Sequence, residues 1–241
     1  MQVVLLRVGI DTGSGGIHGP LFKDGSFEYV PIRDGFNGCG ISDRTYGNTL
    51  ARYGNRRLVH YFPENVRESR RNVPIHHDPE FQTFTYGDPT PPKQGLRKLQ
   101  KGDLLVFYAG LQGWDFECAP ALYIVGFFAV ETAGLATDFS QRDLQRYFGQ
   151  NFHVRYPSVF RKQKDRLVVV KGNKRSRLLK EARCISSIGA DRNGRPLHIL
   201  SPAMQKIFGA FDGHVSIQRS PPRWVSHKFA AKASAFVTSL R

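Results

Sequence analysis

The residues best suited to chemistry stand together near the N-terminus. Asp11, Thr12, Ser14, His18, Lys23 and Glu28 surround a tract that holds Gly13, Gly15, Gly16 and Gly19. Glycines let the backbone take positive φ and let a ligand approach the amides closely, which suits an anion or a base edge. Asp11, Thr12, His18, Lys23 and Glu28 could supply a base, a nucleophile and an oxyanion partner, so they are the catalytic candidates. A tight glycine turn without a ligand accounts for the same residues, and no catalytic role is assigned.

The elements that must position these groups follow from the flanking pattern. Residues 3–10 are apolar and β-branched and read as a strand; residues 27–32 form a second apolar run after the turn Lys23-Asp24-Gly25-Ser26. The unit reads as strand, glycine loop, turn, strand. Neither common nucleotide loop fits. The spacing lacks the Gly-Lys-Ser/Thr ending of a P-loop, and Pro20 with a hairpin behind it leaves no helix to receive a pyrophosphate. The run Asp11-Thr12-Gly13-Ser14 also resembles the active-site loop of aspartic proteases, with Ile188-Gly189-Ala190-Asp191 as a faint echo of its supporting loop. That chemistry needs two carboxylates sharing one proton. One Asp-Thr-Gly would require a dimer, and the size and positive charge disfavour it.

Composition narrows the class. With 241 residues, 40% hydrophobic and 12% aromatic, the chain is long enough for one large or two small cores. No apolar run reaches membrane-spanning length and no signal-peptide pattern opens the chain, so a soluble, cytoplasmic protein is expected. Cys39, Cys118 and Cys184 are far apart and odd in number, which favours reduced thiols. Lysine and arginine outnumber acids 35 to 20, a net charge of +15. The surplus makes a polyanion the expected partner, with arginine suited to phosphate and to stacking on bases.

Residues 33–48 are glycine-rich and irregular, residues 58–62 read as a short strand, and residues 64–92 hold little regular signal. Adjacent His76 and His77 cannot easily turn to one metal, and no second pair lies at helical spacing, so no metal site and no cofactor are expected. Residues 104–110 and 121–130 form a buried hairpin, with Trp114 in the connection as a stacking platform or a core plug; Gly126 marks a bulge or close backbone approach. Residues 137–149 read as a helix capped by Ser140, residues 167–170 as a strand, and residues 171–177 as a basic turn with Lys174, Arg175 and Arg177. Asp191 to Arg195 is a turn before a strand at 197–200. Ser201-Pro202 starts a helix that Gly209 ends. Gln218, Arg219, Ser220, Arg223 and Trp224 form a second polar motif stiffened by Pro221-Pro222.

The central hairpin, KGDLLVFYAG followed by YIVGFFAVE, resembles that of PUA-like domains of the EVE and ASCH kind, which hold a modified or flipped nucleotide in a cleft. More fully, RVGIDTGSGGIHGPLFKDGSFEYVPI, that hairpin and the later SPAMQKIFG and SIQRSPPRWV together resemble the nucleotide modification associated domain 3 family, over residues 5–225. The resemblance implies a link to modified bases in nucleic acid and carries over no catalytic residue.

Together these readings give an α+β fold, a β-rich curved sheet or small PUA-like barrel with peripheral helices. One domain over residues 1–241, with a possible tail at 226–241, is expected. The expected function is binding of DNA or RNA so as to accommodate a modified or flipped base. Ser14, Trp114, Lys174, Arg175, Arg177, Gln218, Arg219, Arg223 and Trp224 would contact the nucleic acid. The alternative is an enzyme, a hydrolase or base-modifying, acting on modified nucleosides or the polynucleotide. The N-terminal and C-terminal motifs must meet at one hollow for either reading to hold.

Overall fold

A computed structural model describes residues 1–13, 15–34, 42–218 and 221–241. In chain order its first half contains β1 (Val3–Arg7), β2 (Gly19–Leu21), β3 (Ile32–Arg33), α1 (Glu64–Arg71), β4 (Ile75–His76), β5 (Thr85–Asp88) and β6 (Leu104–Gly113). Then come β7 (Ala121–Leu135), α2 (Gln141–Phe148), α3 (Phe152–Arg155), α4 (Pro157–Gln163), β8 (Val168–Gly172) and β9 (Arg177–Cys184). The remainder is β10 (Ser186–Ala190), β11 (Pro196–Leu200), α5 (Pro202–Phe208), β12 (Arg223–Trp224) and α6 (His227–Ser239). Single 3-10 helices cover Leu58–Tyr61, Pro91–Lys98 and Ala136–Asp138.

The fold is built on β6 and β7, which pair antiparallel from Leu104 opposite Ala129 to Leu111 opposite Ala121. Eight consecutive residues of β6 and nine of β7 are buried, so both faces are covered, and the unbroken apolar runs are what such strands require. Each large aliphatic or aromatic side chain placed there contributes about 1.5–3 kcal/mol. The sheet runs β12-β1-β6-β7-β8-β5, with β2 beside β6 and β9 beside β7. This path stays open among the described residues, so of the two expected architectures the curved sheet is the one formed.

The N-terminal unit is not the expected hairpin. Strands β1 and β2 both run parallel to β6, Val3–Arg7 against Leu104–Tyr108 and Gly19–Leu21 against Leu111–Gly113. The chain therefore leaves the side of β6 after Arg7 and is back beside β6 at Gly19. Gly9 makes the exit, with φ 75° and a Cβ position only 3.0 Å from the Tyr29 ring. Phe27, Tyr29 and Val30 are buried by packing, with a single bridge from Phe27 to Leu21 in place of a ladder.

Two further expectations are corrected. Leu58–Tyr61 is a 3-10 helix, because a short buried apolar run has no period that separates strand from helix. Helix α1 was hidden in a stretch read as irregular, since none of its residues is buried and it shows no apolar stripe. Other elements follow their sequence signals. Ser140 Oγ caps α2 by accepting from Asp143 N at 3.1 Å, Ser201 caps α5, and Gly209 ends α5 with φ 73°. At Gly126 the β7–β9 register shifts, and a Cβ would fall 2.5 Å from the Phe81 ring. Among the described residues no helix is long and apolar enough to cross a membrane.

Candidate functional site

A cleft of about 810 Å³ opens where the loop after β1 meets the segment before β12, β4, β5 and α3. Arg7, Asp11, Thr12 and Gly13 line one part, Gln218 another, and His76, Asp78, Tyr86, Asp88, Lys93, His153 and Gln163 the rest. Arg7 joins the two terminal motifs. Its Nη2 lies 3.1 Å from Asp11 Oδ2, and its Nη1 donates to the Gln218 carbonyl. The segment it holds is fixed from behind. Tyr108 Oη donates to Ile217 O at 2.9 Å, and Gln218 Oε1 accepts from His198 N at 2.7 Å.

Three loop amides, of Gly13, Gly15 and Gly16, are turned inward and not to the cleft as the glycine content suggested. Gly13 N donates to Asp11 Oδ1 at 2.8 Å, and Gly15 N and Gly16 N donate to the Asp11 carbonyl. A side chain that mimics a turn consumes its own neighbours' donors. At the cleft the described part of the loop offers the Asp11 and Thr12 side chains.

The most concentrated chemistry in the cleft is a trio that sequence reasoning missed. His76 ends β4, and Asp78 follows two residues on in a bend that returns its carboxylate to the His76 ring. His153, in α3, closes the group. Its Nε2 stands 2.7 Å from Asp78 Oδ2, while His76 Nε2 is 3.5 Å from the same oxygen. The other carboxylate oxygen of Asp78 accepts from Gly87 N at 3.1 Å and Asn151 Nδ2 at 3.4 Å. Asn151, fully buried, also caps α3 by accepting from His153 N, so one residue sets both Asp78 and His153. Gly87 is required for this closeness: a Cβ there would fall 2.7 Å from Asn151 Oδ1 and 3.0 Å from the His153 ring. The His76 ring stacks on Phe152 with centroids 4.5 Å apart.

Burial and charge oppose each other here. Burial lowers the pKa of His153, but the Asp78 carboxylate and the hydrogen bond with Gln163 outweigh it and leave the pKa raised. Burial wins at His76, whose pKa is lowered despite Asp78. Burial also lowers the pKa of Lys93. The trio's ligand atoms lie within 4.8 Å of one another and could hold a metal ion. His77 does turn away, as the geometry of adjacent residues demands: its Nδ1 stands 3.4 Å from Arg44 Nη1, and burial lowers its pKa to about 4. The usable signal was the alternation His76-x-Asp78; its partner is 75 residues away in the chain.

The structure sends the other sequence candidates to different places. His18 lies over Gly110, and burial lowers its pKa. Lys23 lines a separate depression with Trp114, Tyr53, Tyr61 and Arg56. Trp114 is 38% exposed there, its ring edge-on to Tyr61 at 5.1 Å, so it stands clear of the cleft lining. Glu28 is buried and accepts from Arg52 N at 2.6 Å and Tyr53 N at 3.3 Å, and burial raises its pKa to about 7. Lys174 and Arg175 are exposed between β8 and β9, and Arg177 lies over the Phe127 ring. Arg223 and Trp224 form β12, paired with Leu5 and Val4, and Trp224 borders a depression with Met1 and Ala210. Of these candidates, Asp11, Thr12 and Gln218 meet at the cleft. Ser14 and Arg219 lie outside the described residues, as does Cys39.

No curated protein and no solved structure matches the chain. The sequence profile of one family, described as nucleotide modification associated domain 3, matches residues 2–239. Since that match takes in both terminal motifs and the cleft between them, the chain belongs to the nucleotide modification associated domain 3 family.

Proposed function

We propose that the protein binds nucleic acid and takes one nucleotide, with a modified or flipped base, into the cleft between its terminal motifs. One observation carries this reading: Asp11 and Thr12 from the first motif, and Gln218 from the second, line the same hollow as Lys93 and the His76–Asp78–His153 trio. Its volume lies in the range of small-molecule sites, and its mix of hydroxyl, amide, carboxylate and cationic groups can read a base edge while holding a phosphate. A net charge of +15 favours approach of a polyanion, and the family description supplies the association with nucleotide modification. Extruding a base costs a few kcal/mol, least when it is mismatched, damaged or already single-stranded.

A second reading, chemistry on that nucleotide, is favoured by the buried His153–Asp78 pair at 2.7 Å. A histidine whose position is fixed by its neighbours is the usual proton carrier at an active site.

Fluorescence anisotropy with single-stranded and duplex oligonucleotides tests binding. Affinity should fall steeply with salt. Lys93→Met, which keeps the stem but removes the cation, should weaken binding about tenfold. Equal affinity in wild type and Lys93→Met, combined with a flat salt dependence, would remove the cleft from the account.

A further inference from the structure

The geometry points to a metal centre: we propose that His76, Asp78 and His153 bind one divalent first-row transition ion, iron(II) being the best match, at the wall of the cleft. Metal binding itself stands on these three residues alone, whereas the nature of the substrate rests on the reading of the cleft as a nucleotide site.

Two imidazole nitrogens and one carboxylate oxygen within 4.8 Å of one another form the two-histidine, one-carboxylate set used by non-haem iron(II) centres. Around an ion with bonds of about 2.1 Å, adjacent ligand atoms stand about 3 Å apart. The separations of 2.7 Å from His153 Nε2 and 3.5 Å from His76 Nε2 to Asp78 Oδ2 bracket that spacing.

The surroundings prepare His153 and Asp78. Gln163 Oε1 stands 2.7 Å from His153 Nδ1, and in the tautomer that donates to it the Nε2 lone pair faces Asp78. Lone pairs on Nε2 and Oδ2 that face each other at 2.7 Å need a cation between them. A proton joins only His153 to Asp78. A divalent ion joins all three residues, through His153 Nε2, His76 Nε2 and Asp78 Oδ2. Asp78 presents a single oxygen, because Gly87 N and Asn151 Nδ2 occupy the other. Three protein ligands leave coordination positions open, the mark of a catalytic rather than a structural site. All three residues line the cleft, where water or a polar group of the nucleotide would reach those positions.

The test uses the full chain, stripped with chelator, and the metal alone. Anaerobic calorimetric titration with iron(II), and titration with cobalt(II) followed by its visible absorption, should each give one ion per chain. Asp78→Asn and His153→Ala should each weaken binding about 100-fold, and Gln163→Ala about tenfold, while His77→Ala leaves it unchanged. Circular dichroism checks that each variant is folded. If the ligand variants unfold, the wild-type cobalt(II) spectrum decides, since mixed nitrogen and oxygen coordination differs from the spectrum of the aquo ion. An aquo-like spectrum, no saturable binding, or stoichiometric binding that persists in a folded Asp78→Asn, His153→Ala double variant would overturn the metal centre. Oligonucleotide affinity is measured separately. Metal bound without oligonucleotide binding sinks the nucleotide reading and keeps the metal, and the reverse result does the opposite.

Discussion

Asp78 and Glu28 are two carboxylates buried to nearly the same degree, 8% and 5% exposed, and they do different work. Glu28 spends one oxygen on two backbone amides, at Arg52 and Tyr53, and so ties that loop to the buried segment around Phe27 and Tyr29. Asp78 gives one oxygen to Gly87 and Asn151 and turns the other toward two imidazoles and the cleft. A buried carboxylate satisfied by backbone donors is a strut. One with an oxygen facing titratable or ligating groups is a site. Burial alone does not separate the two, and neither does nearness in sequence to a glycine-rich loop.

Truncation should break this comparison most visibly. Asp78→Ala leaves His153 Nε2 and the Gly87 amide without their acceptor, removes one of the two acceptors of Asn151 Nδ2, and should lower the unfolding free energy by about 3–5 kcal/mol, read by urea denaturation. Glu28→Ala orphans two amides and should cost about 1–3 kcal/mol by the same measurement. Equal costs would mean that Asp78 is only a strut.

The acid–base behaviour of Glu28 sharpens the contrast. Its pKa rises on folding from 4.5 to about 7, so the folded chain holds this proton more tightly than the unfolded one. The resulting stability is fully present below pH 4.5 and is lost as pH climbs toward 7. Glu28→Gln keeps an acceptor for the amides and should flatten stability across that window, seen in melts at a series of pH values. An unchanged slope would place the shift elsewhere.

The smallest effect belongs to the basic turn between β8 and β9. Lys174→Ala and Arg175→Ala should weaken oligonucleotide binding evenly across sequences and reduce the salt slope by about one per cation. A sequence-selective loss would instead make that turn part of base readout.

Much of the framework was legible because it is encoded locally. The β6–β7 hairpin announced itself by uninterrupted apolar runs, α2 and α5 by Ser140 and Ser201, and the Gly126 irregularity by a glycine in mid-strand. Parallel pairing of β1 and β2 to β6 was not legible, because it joins segments about a hundred residues apart and leaves the same alternation as a hairpin. The cleft was half visible. Asp11, Thr12 and Gln218 do converge, through Arg7, yet the trio needed a histidine brought from α3 by the Asn151 cap, and nothing near His76 advertises it.

The central claim is that a nucleotide enters the cleft, and ultraviolet cross-linking of the full chain to an oligonucleotide carrying iodouracil, followed by peptide mapping, tests it most directly. The account predicts cross-links in the peptides that carry Thr12, Tyr86 and Gln218. Cross-links confined to the Trp114 depression or to the Lys174–Arg177 turn, with none in the cleft peptides, would contradict it.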